Sequence, residues 1–270
     1  MKSTTFILFI ALNICLSGFS QTDSAFRFVR SIPGDIEIFA VDDLENVYLL
    51  NSKNQLKKIN AKGDSIAIYN DVKRFGRATL IDVSNPLKVL LYYKNFATIV
   101  ELDRFLNLKN TIDLRKQNIF QAKAIGQSYD NKIWVYDELE NKLKKVDEKG
   151  KLHLETPDFR LLFDESLSPQ SISDVNLHVY IYDSAKAVYV FDYFGSLKNK
   201  ILISGWQNFK VMPKHIFGTA SGKLYRYELD TFRYDEWPLP DQFKQSRAMS
   251  VSPSRIYILQ KNRLEIFTLN

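Results

Sequence analysis

Six times along this 270-residue chain, a short apolar strand is followed by a polar turn and then by a second strand. The first strands begin at Val47 (VYLLN), Val89 (VLLYY), Ile133 (IWVYD), Val179 (VYIYD), Ile216 (IFGTA) and Ile256 (IYILQ), at intervals of 37 to 46 residues. Their partners begin at Gln55, Ala97, Lys142, Ala187, Lys223 and Arg263. One such unit cannot bury its apolar faces alone, and stacking it radially does so without leaving long sheet edges. The period therefore predicts an all-β fold, a six-bladed β-propeller.

Turn chemistry agrees with strand chemistry inside each repeat. In the third, Ala124 to Gln127 is predicted as the innermost strand, Ile133 to Tyr136 as the second, Lys142 to Val146 as the third and Lys151 to Glu155 as the outer one. Asp, Asn, Lys and Gly fill the turns between them, as hairpins require. The sixth repeat ends at Asn270 directly after its third strand, one strand short. Phe26 to Ile32 (FRFVRSI) precedes the first full repeat, and we expect this N-terminal strand to complete the last blade. The only helical signal is one short turn within Arg160 to Leu167.

Residues 1–20 read as a signal peptide: Lys2 is a positive start, Phe6 to Leu16 an apolar core, and Gly18 and Ser20 small residues before a cut at Gln21. Residues 21–270 then form a single propeller domain. This predicts an exported protein that is periplasmic, outer-membrane-associated or secreted. Lipidation at Cys15 is disfavoured by the bulky Ile14 before it. Cys15 is the only cysteine, so the mature chain is expected to form no disulfide. No other stretch reaches the ~18 apolar residues of a membrane span. Peripheral envelope association remains compatible with the sequence. The formal net charge of +6 is mild and scattered, which argues against nucleic acid as a partner.

Segments such as IWVYDELENKLKKVDEKGKL resemble the blades of six-bladed propellers of the NHL and TolB-like type, over roughly Phe26 to Asn270. That resemblance implies the fold and leaves activity open, since the architecture hosts adhesion, scaffolding, ligand binding and hydrolysis.

The connections that lead from one blade to the next carry a recurring pairing of an aromatic ring with a base. It is formed by Lys73, Arg74, Phe75 and Arg77, by Arg115, Lys116, Phe120 and Lys123, and by Phe243, Lys244 and Arg247, with Trp206, Phe209 and Lys210 a looser fourth copy and Phe159 with Arg160 a fifth. A base directly precedes Ala78, Ala124 and Ala248, which open inner strands. Two readings stay open here. Each ring plugs the wedge between blades and each base is solvated, or the set forms a basic, aromatic-rimmed mouth for an anionic or peptide partner.

Catalytic signals are sparse. His153, His178 and His215 lack metal-ligand spacing, and no serine stands in a GxSxG context. Lactonase-related members of the resembled fold hold a divalent cation in the channel with carboxylate and amide oxygens. The positions this implies are Glu37, Asp82, Asn85 and Asp174. The preferred expectation is a non-catalytic extracytoplasmic module that binds or scaffolds a protein, peptide or envelope glycan through its loop-built face, with no cofactor. The alternative is a metal-dependent hydrolase or lactonase that uses a divalent cation such as calcium.

Overall fold

A computed structural model describes residues 26–70 and 74–269, which fold as six four-stranded antiparallel sheets. Blade one comprises Ile38–Val41, Val47–Leu50, Gln55–Ile59 and Ser65–Asn70. Blade two comprises Leu80–Asn85, Lys88–Tyr93, Thr98–Asp103 and Leu108–Asp113. The third runs Ala122–Gln127, Ile133–Asp137, Lys142–Val146 and Leu152–Glu155, within two residues of the expected limits. Ser171–Val175, His178–Asp183, Ala187–Phe191 and Leu197–Ile201 form the fourth. Gln207–Val211, His215–Ala220, Lys223–Glu228 and Tyr234–Pro238 form the fifth. The expected signal peptide, its expected cut before Gln21, Cys15 and Lys73 lie outside the described residues.

Blade six closes the ring as the short last repeat required. Ala248–Val251, Arg255–Leu259 and Arg263–Leu269 supply three strands, and Phe26–Pro33 pairs antiparallel on the outside, from Phe26 opposite Leu269 to Pro33 opposite Arg263. A bulge between Phe28 and Arg30 bends this strand onto the blade.

The core is six wedges, one between each pair of neighbouring sheets. Second strands such as Lys88–Tyr93 and Ile133–Asp137 are buried along their whole length, because both faces of a middle strand meet another blade. Three tyrosines at equivalent places in these strands tie blade to blade. The hydroxyls of Tyr92, Tyr136 and Tyr182 donate to the carbonyls of Ala122, Leu167 and Trp206, at 2.9, 3.2 and 2.7 Å. Burial pushes Tyr92 and Tyr182 up to about 12, so both keep their donor proton throughout the neutral range.

Glycine is required where inner strands approach most closely. A Cβ on Gly126 would lie 2.5 Å from the carbonyl oxygen of Ile172 in the next blade, a backbone atom that cannot turn aside. Gly126→Ala is expected to cost about 1–3 kcal/mol by overpacking. That corresponds to a melting temperature roughly 3–10 °C lower. Calorimetry showing no change would mean that the ring yields there at no cost.

Candidate functional site

Antiparallel order gives the disc two chemically distinct faces. Connections between blades and the turns from second to third strand emerge on one, here the connection face. Turns from inner to second and from third to outer strand emerge on the other, the turn face.

On the connection face, most of the sequence-predicted rings are plugs. Phe243 is fully buried and packs edge-on against Phe26 and Phe267, with centroids 5.4 and 4.7 Å apart. Trp206 is buried over Gly218, where the missing Cβ leaves room for the indole, and stacks on Tyr225. Phe75 packs into the wedge of blades one and two, 5.4 Å from Tyr93, and the Arg74 guanidinium covers its outer side at 5.0 Å. An aromatic rim built from Phe243 and Trp206 is therefore corrected to interblade packing. Apolar rings at the entrance of a wedge gain more from burial than from exposure. Phe120 is the exception and stands exposed, because Ile119 beside it fills the wedge instead.

The bases are also engaged. Arg77 and Arg247 reach the same carboxylate oxygen of Glu37, at 2.6 and 3.3 Å, and Arg247 also donates to the Ile36 carbonyl at 2.9 Å. Lys123 pairs with Glu138 at 3.3 Å. Ring closure brings together Arg77, Arg247 and Glu37, three residues far apart in the chain.

The four oxygen ligands considered for a cation have protein partners in place of one another. Glu37 holds the two arginines. Asp82 accepts from the backbone N–H of Gln127 at 2.7 Å and of Ser84 at 2.8 Å. Asn85 caps its own turn by accepting from Leu87 N–H. Asp174 accepts from Ser128 Oγ, Trp134 Nε1 and Tyr193 OH at 2.9 to 3.1 Å. Among the described residues no group of three or more His, Cys, Asp or Glu is placed to hold a metal ion. The three histidines sit in different blades, His153 against Asp147, His178 on the Asn176 carbonyl and His215 near Glu228.

Two features of the turn face were not read from the sequence. The first is a cavity of about 650 Å³ in the central channel. It is lined by inner-strand residues of all six blades and by Asp43, Asn176, Pro213 and Pro253 of the turns that follow them, so it opens on this face. The second is a crown of exposed apolar side chains around that opening. Leu44, Leu87, Tyr129 and Leu177 occupy inner turns of four successive blades, and Phe105, Phe194 and Phe232 occupy outer turns; each is more than half exposed.

Local folding does not demand these residues. Leu177 and Phe232 adopt left-handed φ values of 64° and 59°, where glycine or asparagine would be relaxed and a bulky side chain is strained. Tyr129 is held rigidly: its ring lies 4.2 Å from that of Tyr193, and the Lys145 ammonium sits over both rings and over Trp134. Burial opposes the charge on Asp130, but hydrogen bonds from Lys145, Lys132 and Ser128 hold its carboxyl well below the usual range, which fixes Lys145 in this cage. The available sequence signal was a large apolar residue recurring in otherwise polar turns, as in Asn85-Pro86-Leu87 and Asn176-Leu177.

Comparison with known proteins agrees on the ring. The chain superposes on a streptogramin B lyase with a TM-score of 0.60 at 15% sequence identity, covering 87% of this chain and 79% of that one. Virginiamycin B lyase from Staphylococcus aureus gives 0.62 at 12%, covering 91% of this chain and 100% of the lyase. The Pan2 WD40 domain of Neurospora crassa gives 0.62 at 9%, covering 90% and 95%. At these identities the likeness shows fold alone. No family profile and no curated protein matches the sequence.

Proposed function

We propose that this chain is a non-catalytic, extracytoplasmic binding propeller that engages a protein or peptide partner through its turn face. The observation that carries the reading is the apolar crown of Leu44, Leu87, Tyr129 and Leu177 with Phe105, Phe194 and Phe232 outside it. Large apolar side chains in the turns around a cavity mouth, two of them on strained backbone, suit a surface covered by another macromolecule. They favour protein over an envelope glycan or an anionic component, because the connection face that would attract anions has Arg77, Arg247 and Lys123 already paired. The leader's positive start and apolar core support export to the periplasm, the outer membrane or the exterior. The blade phrases support membership of the NHL or TolB-like type.

Affinity capture from the envelope fraction tests the face directly. Replacing Leu44, Leu87, Leu177 and Phe194 together by serine is expected to abolish retention of the partner held by the natural sequence. Surface changes of this kind shift stability by only about 0.5 kcal/mol each or less. Melting should therefore stay close to that of the parent. Undiminished capture of the same partner by the serine variant would refute the assignment of this face.

A further inference from the structure

The channel cavity has a chemistry of its own, separate from the crown. Its volume of about 650 Å³ lies within the ~300–1,000 Å³ of small-molecule sites. Phe39, Leu80, Ile125, Ile172, Val211 and Met249 make its wall mainly apolar. Each inner strand is bonded to a neighbour on its outer side only, so its other edge turns backbone N–H and C=O groups toward the axis.

Among the described residues that line the cavity, Lys210 is the single base. Solvent reaches its side chain through the channel, while protein atoms surround it on the remaining sides. Burial of the ammonium pushes Lys210 below the usual lysine range, and the fields of Asp43 and Asp42 act against that shift. The Lys210 ammonium makes no hydrogen bond and no ion pair with the described residues. The carboxylates of the wall do not complete it: Asp82 is held by Gln127 and Ser84, Asp174 by Ser128, Trp134 and Tyr193, and Asp43 stands exposed at the mouth. The ammonium keeps contact with solvent and has no side-chain partner, so it is the cationic group of the wall open to an incoming anion.

We propose that the turn-face half of the channel binds a small organic monoanion, a carboxylate with an aliphatic or aromatic body, and that Lys210 receives the carboxylate. The apolar wall takes the body, and the free strand edges supply the remaining hydrogen bonds. A dianion such as phosphate is disfavoured, because one ammonium faces three wall carboxylates and no arginine lines the site. This inference goes beyond partner docking and does not depend on it.

Titration calorimetry on the mature chain tests it with phenylalkanoates from phenylacetate to 6-phenylhexanoate and with the matching phenylalkanols. At least one acid is expected to bind about tenfold or more tightly than its alcohol, the scale of a hydrogen bond to a charged group. Lys210→Met should bring acid and alcohol to equal affinity while still binding the alcohol, which shows that the cavity is intact. Lys210→Arg should keep the preference. Absence of binding across the series, equal affinity in the natural chain, or a preference that survives Lys210→Met would each overturn the proposal. The serine variant of the crown should bind the acids as the natural chain does, because none of its four positions lines the cavity.

Discussion

A chain that starts at Ile36, and so lacks Phe26–Pro33, is expected to melt roughly 10–20 °C lower than one that starts at Gln21 or to aggregate before it melts. The lost strand is the outer edge of blade six, and its register against Arg263–Leu269 spans the whole strand. Phe26, buried against Phe243, contributes about 2–3 kcal/mol by removal from water. Each ladder hydrogen bond adds about 0.5–1.5 kcal/mol net. Without this strand, Arg263–Leu269 becomes an exposed edge able to pair with another copy. A Phe26→Ala chain keeps the ladder and loses only the anchor, so it should fall between the two. Adding a synthetic Phe26–Pro33 peptide should restore part of the lost melting temperature. Unchanged melting of the shortened chain would show that the ring is held shut by the wedges alone.

The ring was legible in the sequence because each blade repeats one burial problem. A middle strand packed on both faces must be an apolar run, and six such runs at a near-constant spacing have one economical arrangement. The phase was legible for a related reason: a last repeat that stops after three strands needs a fourth, and Phe26 and Phe28 alternate as a strand does, although the bulge after Phe28 puts Arg30 out of step. The plugs were less legible. Phe243 and Phe120 stand in similar contexts of ring and base, yet one is buried and the other exposed, because Ile119 competes for the wedge and nothing at Phe243 does.

The site was hidden for three physical reasons. Glu37 draws Arg77 and Arg247 together only once the ring has closed. Leu44 stands in an acidic turn that reads as exposed, but no single turn shows that Leu87, Tyr129 and Leu177 join it around the channel mouth. Lys210 follows a bulge: the four residues from Gln207 to Lys210 face the three from Thr219 to Phe217, and Asn208 has φ 52°. That extra residue shifts the alternation of sides by one, so regular strand periodicity assigns Lys210 to the wrong side.

Asp137→Ala is expected to be the most damaging single substitution in the blades, at about 3–5 kcal/mol, the cost of leaving one member of a buried ion pair alone. Lys144 and Asp137 are 3% and 1% exposed, and the ammonium lies 2.8 Å from the carboxylate. Burial opposes the charge on Lys144, but hydrogen bonds from it to Asp137 and Glu140 outweigh burial and raise its pKa above the usual lysine value. The contribution from the Lys144 charge is therefore complete below the ordinary lysine pKa with respect to its own titration, and fades as pH rises through the higher folded value. Asp137 also accepts from the Leu139 backbone N–H, so the alanine variant loosens the turn as well. Replacing both partners, Asp137→Leu with Lys144→Met, should recover most of the loss, since two apolar groups leave no charge unpaired. The remaining partner in the single variant is Glu140, 2.9 Å from Lys144 and more exposed. The hydrogen bond from Lys144 holds its carboxyl below the ordinary 4.5, so its support is present above that pH and is lost as pH falls through the folded value. Denaturant titrations of Asp137→Ala should thus show stability falling more steeply below about pH 4.5 than in the parent. Parallel pH profiles, or a double variant no more stable than the single one, would show that the ion pair is not what holds this blade together.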